Sequence, residues 1–203
     1  MAISNIVFDI GNVVVDWDPD TIVRDAFDQP RLAEPGFRSP LAGNPLWLAL
    51  NRGEHTMEEA KRLYIDEQGF EAAEIDRLYE VLFASLVPIE DTVRLMRDLA
   101  AAGLRLFAIT DNVLEIVAHQ RATHDFWDMF EAAAISAELG ILKPDPRIYR
   151  HLLEAASLQP GESLFFDDVA ANVEGAEAVG MHARVFAGAE RARADLTSLA
   201  VSF

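Results

Sequence analysis

The sequence predicts an α/β protein with a doubly wound parallel sheet and an inserted all-helical segment. From residue 88 onward, short apolar runs with strand character alternate with helical stretches. Between about residue 20 and residue 86, the periodicity is helical throughout. Carboxylates close two of the apolar runs. Strands that alternate with helices at this spacing pair in parallel through crossover connections, so we expect the alternating part to form one sheet.

The first strand is predicted over residues 3–9, which contain a run of three apolar residues typical of a buried strand. The stretch that follows is broken by proline and glycine and contains no strand-like run. Within it, Thr56 and Glu59 have the spacing of a capping box and predict the start of a helix. The predicted segments are a helical insert at residues 17–86 and a core at residues 1–16 and 87–203.

The remaining elements follow in regular order after Pro88. Apolar periodicity, glycine stops and β-branched runs define their approximate limits. The predicted strands are residues 104–109, 132–136, 163–166 and 182–186. The predicted helices are residues 90–101, 113–122, 145–156 and 170–179, with a terminal helix after the last strand.

Composition restricts the classes of function. Hydrophobic residues make up 51% of the 203 residues, which supports a packed core and argues against disorder. The formal net charge of −17 argues against nucleic-acid and anionic-membrane partners, because both need basic patches. There is no cysteine, no run long enough to span a membrane and no basic flank of a signal peptide. We therefore expect a cytoplasmic protein, either a monomer or a homodimer.

Four polar positions fall at or just after predicted strand ends: Asp9, Thr110, Lys143 and the pair Asp167–Asp168. Each is ordinary alone, but the carboxyl ends of central parallel strands line one crevice where ligands bind. A carboxylate nucleophile needs a neutralised electrophile, and lysine and threonine suit a phosphoryl group. Carboxylate oxygens are the ligands that Mg²⁺ prefers. The combination predicts an enzyme site.

Four segments in chain order resemble the motifs of the haloacid dehalogenase-like (HAD) hydrolases. They are residues 8–13, 109–112, 140–146 and 166–172. The resemblance spans nearly the whole chain, and the helical insert corresponds to that family's cap, which shields the site and chooses substrates. Receiver domains of response regulators use similar residues, but they carry the acidic pair at the first strand. Here the pair comes last, which favours the HAD hydrolases.

The resemblance implies a role for each polar residue around the phosphoryl group. Asp9 would be the nucleophile and would form an aspartyl-phosphate that water then hydrolyses. Thr110 would hydrogen-bond the phosphoryl oxygens, with Asp111 and Asn112 beside it in the phosphate-binding segment. Lys143 would stabilise both the nucleophile and the intermediate.

The resemblance also implies a Mg²⁺ cofactor. The carboxylates of Asp9 and Asp168 and the backbone carbonyl of Gly11 would hold the ion. Asp167 and Asn172 would act through waters bound to the metal, by orienting them. The ion would offset the negative charge that the carboxylates and the substrate bring together.

Two positions depart from the pattern of the family's phosphatases. Gly11 stands where a second aspartate usually acts as general acid and base, a role worth about 10²–10⁴-fold in rate. Asp16 and Asp18 lie nearby in sequence and are candidate replacements, although both suit a structural role at the start of a helix. Asp111 stands where related sequences usually have asparagine, and an ionised carboxylate there would repel phosphate unless it is turned away or neutralised.

These departures leave two alternatives open. A metal-independent 2-haloacid dehalogenase also lacks the second aspartate, although a tyrosine commonly stands at the position of Gly11. Such an enzyme would need an arginine and aromatic residues around its substrate, and Arg24, Phe37, Trp47 and Arg52 are candidates. The other alternative is a weakly active protein that binds a phosphorylated ligand.

The intact acidic pair favours metal and therefore phosphate. The function we predict is Mg²⁺-dependent hydrolysis of the phosphomonoester of a small metabolite, such as a sugar phosphate. Within the insert, the turn at Arg52 is the predicted substrate contact.

Overall fold

The computed structural model describes residues 2–203, so residue 1 of the predicted core lies outside it. Five parallel strands form one sheet with the order β3-β2-β1-β4-β5. The strands are β1 (Asn5–Phe8), β2 (Arg105–Thr110), β3 (Phe130–Ile135), β4 (Ser163–Asp167) and β5 (His182–Val185). Strand β1 therefore lies at the centre, with β2 on one side and β4 on the other.

Five helices of the insert lie between β1 and the rest of the core. They are α1 (Pro19–Ala26), α2 (Gln29–Leu32), α3 (Pro45–Asn51), α4 (Met57–Gln68) and α5 (Ala72–Ser85). Asp18 begins α1, because its carboxylate accepts a hydrogen bond from the backbone N–H of Thr21. Thr56 and Glu59 form the predicted capping box at the start of α4.

The core helices alternate with the strands. They are α6 (Glu90–Ala101), α7 (Leu114–Thr123), α8 (Ser136–Leu139), α9 (Pro146–Ala155), α10 (Ala170–Glu177) and α11 (Ala189–Ser198). The predicted doubly wound α/β fold is confirmed. The helix α8 was not predicted, and β3 begins at Phe130 and ends before Ser136 instead of covering residues 132–136.

Side chains of the central strands alternate between two buried clusters, one on each face of the sheet. Val7 packs with Phe107 and Phe165 among residues of α9 and α10. The neighbouring Phe8 and Phe166 stack at 5.7 Å between ring centroids on the other face, in the cluster that includes the insert. Because strand side chains point to opposite faces in turn, the run predicted to be fully buried fills both layers.

The insert leaves and re-enters the core at one place. Val15 pairs with Pro88 in an antiparallel bridge. The backbone N–H of Asp16 donates to the carbonyl of Val87 at 2.9 Å, and that of Ile89 donates to the carbonyl of Val14 at 2.8 Å. The two connections are therefore hydrogen-bonded to each other next to the sheet.

Within residues 2–203, every helix is too short or too polar to span a lipid bilayer.

Candidate active site

The predicted site residues meet at the carboxyl edge of the sheet. Asp9 follows the last residue of β1, Thr110 ends β2 and Asp167 ends β4. These three strands are neighbours and run in parallel, so their ends lie side by side. Lys143 reaches the same place from the loop that precedes α9. The topology thus explains why residues distant in sequence share one site.

Lys143 is buried between two carboxylates. Its Nζ atom lies 2.7 Å from Oδ1 of Asp9 and 2.7 Å from Oδ2 of Asp167. It also donates to the carbonyl oxygen of Ile109 at 3.4 Å. The side chains of Lys143, Asp9 and Asp167 are 2%, 11% and 0% exposed. Burial strengthens the attraction between these charges but also removes them from water, so loss of Lys143 would leave two buried carboxylates without a cation.

Burial and the neighbouring charges shift the pKa values of both partners. Burial raises the pKa of Asp9 from 3.8 to about 7, with Lys143 acting against the shift and Asp167 adding to it. Burial alone would lower the pKa of Lys143, but the surrounding carboxylates of Asp9, Asp167 and Asp111 raise it overall. Lys143 is therefore a permanent cation, whereas Asp9 titrates near neutrality.

Both carboxylate oxygens of Asp167 accept hydrogen bonds from other protein groups. Its Oδ1 accepts from the backbone N–H of Val169 at 2.8 Å, and the side-chain amide of Asn172 donates to both carboxylate oxygens at 3.0 and 3.1 Å. Its Oδ2 also accepts from Lys143 at 2.7 Å. The sequence predicts that Asp167 and Asn172 act through waters; in the structure, Asp167 contacts both Lys143 and Asn172 directly. Complete burial of Asp167 requires such partners.

The residues predicted to bind a metal fit a hard cation. Asp9, Asp167 and Asp168 each place a carboxylate oxygen within 4.8 Å of the other two. Asp168 is half-buried, and its Oδ2 accepts from the side chain of Asn12 at 3.2 Å. Asn12 adopts φ of 56° and also accepts from the backbone N–H of Trp17 at 3.2 Å. Oxygen donors of this kind, with space for water, suit Mg²⁺.

The segment after β2 contains Asp111, the aspartate that departs from the family pattern. Oδ1 of Asp111 accepts a hydrogen bond from the backbone N–H of Lys143 at 3.0 Å. Burial raises the pKa of Asp111 above its ordinary value, although Lys143 acts against the shift. The carboxyl group is thus anchored by the backbone and holds its proton more tightly than an exposed aspartate does. Thr110 is buried, while Asn112 donates its backbone N–H to Oγ of Ser136 at 2.9 Å.

A cavity of about 290 Å³ opens over these residues. One wall is apolar and includes Trp17 and Trp47, whose rings stack at 5.7 Å with an interplanar angle of 10°. Trp17 is the first residue of the predicted insert and Trp47 belongs to α3, so the insert contributes both rings of this wall. The remaining apolar lining residues are Ile10, Val15, Leu48, Leu86, Ile116, Leu142 and Val169.

The charged residues that line the cavity are mostly acidic. Four aspartates line it, namely Asp9, Asp16, Asp111 and Asp168. Among the lining residues that the structure describes, Lys143 is the only basic one. A ligand here therefore meets a single cation beside several carboxylates.

The residues proposed for the insert side of the site lie elsewhere, except Trp47. Arg52 does not line the cavity; its Nη1 lies 3.6 Å from Oε1 of Glu54. Arg24 pairs with its neighbour Asp25, and Phe37 packs inside the insert. Arg52 thus lies outside the cavity lining, whereas Leu48 and Asn51 from the last turn of α3 belong to it.

Three lining residues with amide side chains were not singled out from the sequence as site residues: Asn12, Asn51 and Gln120. Asn51 and Gln120 are polar side chains on otherwise buried helix faces. For Gln120 the signal was present, since it follows Ile116 and Val117 at helical spacing on the apolar face of α7. Asn12 stands inside a recognised motif, but its link to Asp168 needs the folded loop.

Comparison with known proteins places this geometry in context. A sequence model described as haloacid dehalogenase-like hydrolase matches residues 3–180. The sesquiterpene phosphatase astK from Aspergillus oryzae is 29% identical over 178 residues, which cover 86% of this chain and 85% of that protein. A phosphatase from Mycobacterium tuberculosis is 34% identical over 114 residues, which cover 54% of this chain and 50% of that protein.

Solved structures share the fold. A HAD-like hydrolase from Porphyromonas gingivalis superposes with a TM-score of 0.77 at 22% identity over 100% of both chains. A HAD family enzyme from Bacteroides thetaiotaomicron, solved in complex with magnesium and inorganic phosphate, has a TM-score of 0.73 at 18% identity, with 91% of this chain and 94% of that chain covered.

Proposed function

The chain belongs to the haloacid dehalogenase-like hydrolases, and on that premise we propose that it is a magnesium-dependent hydrolase of small phosphomonoesters. The buried contact between Lys143 and Asp9 is the observation that carries the proposal. It places a permanent cation beside the carboxylate that would attack phosphorus. Two relatives described as phosphatases, and the magnesium and phosphate bound by a structural neighbour, support the same chemistry.

The proposed reaction has two steps. A carboxylate oxygen of Asp9 attacks phosphorus, an O–P bond forms, and the bond from phosphorus to the leaving oxygen breaks. Asp111 is our candidate for the acid that protonates that oxygen, because it lines the cavity and burial raises its pKa. Water then attacks the aspartyl-phosphate, gives its proton to Asp111 and releases phosphate from Asp9.

The other residues position these groups. Lys143 holds the nucleophile through its ion pair, while Asp167 and Asn172 fix the lysine. Magnesium, held by Asp9, Asp168 and the carbonyl of Gly11, would supply positive charge at the phosphoryl oxygens. The hydroxyl of Thr110 would donate to one of those oxygens.

The cavity restricts the leaving group. With a single lysine against four aspartates, a second anionic group on the substrate would be repelled. The aromatic wall would contact an apolar surface, which a hydrocarbon chain or one face of a sugar ring can offer. We therefore propose monophosphates whose leaving group is otherwise uncharged, including sugar phosphates and, by similarity to astK, isoprenoid phosphates.

The dehalogenase alternative has less support. A 2-haloacid carries a carboxylate that needs a cationic partner, and neither Arg24 nor Arg52 lines the cavity. Lys143 is already shared between Asp9 and Asp167. Similarity to a dehalogenase structure extends only to the fold, with a TM-score of 0.61 at 18% identity over 89% of this chain and 83% of that chain.

The test is a release assay over sugar monophosphates, isoprenoid monophosphates, the matching diphosphates and 2-haloacids, each with Mg²⁺ and with EDTA. We expect phosphate release from monophosphates that EDTA abolishes and that Asp9→Asn lacks. Halide release that survives EDTA would instead identify a dehalogenase. Phosphate release at an unchanged rate in Asp9→Asn would refute the nucleophile, and no release from any ester would favour a binding role.

A further inference from the structure

Gln120 is a buried polar residue that the proposed reaction does not use. It lies in the last turns of α7, is 1% exposed and lines the same cavity as Asp9 and Lys143. No group in the described part of the chain donates a hydrogen bond to its Oε1 atom. A buried, unpaired carboxamide oxygen therefore belongs to a residue of the cavity wall.

A buried carboxamide oxygen without a hydrogen-bond partner is costly for folding. Such groups are usually paired, because they lose their hydrogen bonds to water without replacing them. Gln120 follows Ile116 and Val117 on the buried face of α7, where leucine or methionine would pack without that cost. A group of this kind at a cavity wall is explained if a ligand supplies its partner.

We propose that Gln120 is a specificity-determining residue that recognises a hydroxyl group on the leaving group of the substrate. This inference rests on the proposed phosphatase function, because it assigns part of the same cavity. The carboxamide has an acceptor at one end and a donor at the other, and a hydroxyl can satisfy either. Recognition is therefore independent of which way the amide is turned.

The aromatic wall complements this contact. Trp17 and Trp47 offer an apolar surface, while Gln120 offers a hydrogen-bonding group in the same cavity. Asn51 fixes part of this arrangement, since its side-chain amide donates to the carbonyl of Trp47 at 2.8 Å. The leaving group would thus combine an apolar face with at least one hydroxyl. Pockets built around a buried hydrogen bond reject analogues that lack the matching group.

The test compares binding of cyclohexyl phosphate with that of its three monohydroxylated positional isomers. Affinities are measured by calorimetry in the Asp9→Asn background with Mg²⁺, so that turnover is not needed. We expect one isomer to bind at least about tenfold more tightly than cyclohexyl phosphate, which corresponds to about 1.4 kcal/mol. The additional substitution Gln120→Leu should reduce this ratio to near one.

Thr92 provides a matched control. Its buried Oγ1 also lacks a protein partner, but Thr92 lies in α6 and does not line the cavity. We expect Thr92→Val to keep the selectivity ratio of the parent protein. The melting temperature separates recognition from a structural role, because Gln120→Leu removes an unpaired polar group and should leave stability equal or higher.

The possible outcomes test the role of Gln120 and distinguish its failure from failure of the phosphatase proposal. Equal binding of all four esters in the Asp9→Asn parent, or an unchanged ratio in Gln120→Leu, would overturn the role of Gln120. A lower melting temperature in Gln120→Leu, with the ratio retained, would assign Gln120 to the core. A selective ratio lost in Gln120→Leu, but without turnover of any ester by the wild-type protein, would retain the recognition site and reject the phosphatase.

Discussion

The Nζ atom of Lys143 lies 2.7 Å from Oδ1 of Asp9, and the lysine side chain is 2% exposed. At equal distance on its other side is Asp167, which is fully buried. One cation thus holds two carboxylates at the ends of adjacent parallel strands. The contact joins stability to function, because the groups that would perform the chemistry also neutralise each other.

Replacement of Lys143 by methionine should damage both properties. Two buried carboxylates would lose their cation, and breaking a buried pair in this way typically costs about 3–5 kcal/mol. We expect turnover to fall by at least about 10²-fold, the typical loss when one preorganised electrostatic group is removed. Urea unfolding and phosphate release measure the two effects.

A second substitution separates the effect on stability from the effect on turnover. The double variant Lys143→Met/Asp167→Asn removes one of the two stranded charges and should recover much of the lost stability without recovering turnover. Full turnover in either variant would contradict the placement of Lys143 in the site.

Asp9→Asn should abolish turnover and yet stabilise the metal-free protein at neutral pH. Burial raises the folded-state pKa of Asp9 from 3.8 to about 7. Between these pH values the folded protein holds a proton that the unfolded chain has lost, so wild-type stability falls as pH rises from about 4 to about 7. Asparagine does not titrate, so the stability of the variant relative to the wild type should rise through that range.

Melting temperatures in EDTA measure this difference. By pH 7 we expect the variant to melt at least about 2 °C higher, the shift that corresponds to about 1 kcal/mol for a chain of this size. Added Mg²⁺ should reverse the order, because it binds the folded wild-type site. A difference in melting temperature that does not change with pH would show that Asp9 does not titrate in this range.

Asp111→Asn should affect poor leaving groups more than good ones. If Asp111 protonates the leaving oxygen, its loss should lower kcat/KM for alkyl phosphates by about 10²–10⁴-fold. For p-nitrophenyl phosphate, whose leaving group needs no proton, the loss should be small. Asp16→Asn is the comparison, because Asp16 also lines the cavity but is exposed. The same leaving-group dependence in Asp16→Asn alone would transfer the role to Asp16.

Gly53→Ala should loosen the contact between the insert and the core. Gly53 has φ of 67°, and a Cβ atom there would lie 2.1 Å from the backbone oxygen of Ala137 in α8. Gly69 is a matched control within the insert, since its φ is 73° and nothing lies within 4 Å of such an atom.

Thermal unfolding distinguishes the two variants. Gly69→Ala should cost the left-handed conformation alone, about 1 kcal/mol, whereas Gly53→Ala should cost clearly more and also raise KM. Equal losses of stability in the two variants would indicate that the insert can move away from α8 at no cost in free energy.

The fold could be predicted from the sequence because periodicity, element order and the polar residues at strand ends all indicated the same parallel sheet. Strand and helix periods alternated regularly, and carboxylates closed the central strands, which placed Asp9 and Asp167 correctly at one edge. The start of β3 was less clear because Glu131 interrupts its apolar run and faces solvent at the side of the sheet. The short helix α8 has a single turn, which leaves too little periodicity to detect.

The insert side of the site depended on packing that no local pattern records. The predicted contact was the turn at Arg52, but α3 ends at Asn51 and the guanidinium of Arg52 lies beside Glu54. Trp47 enters the cavity because it stacks on Trp17, a pairing across the chain that sequence spacing does not reveal. Asp111 is tolerated through a hydrogen bond from a residue 32 positions away.

The antiparallel bridge between Val15 and Pro88 gives the molecule a modular architecture. Because both connections of the insert cross this one point, a short reverse turn could join them without disturbing any strand of the sheet. Trp47 and the other residues that the insert contributes to the cavity wall could therefore be exchanged together, while Gln120 and the carboxyl edge of the sheet stay in place. We therefore expect changes within the insert to alter the cavity wall without displacing Asp9, Lys143 and Asp167.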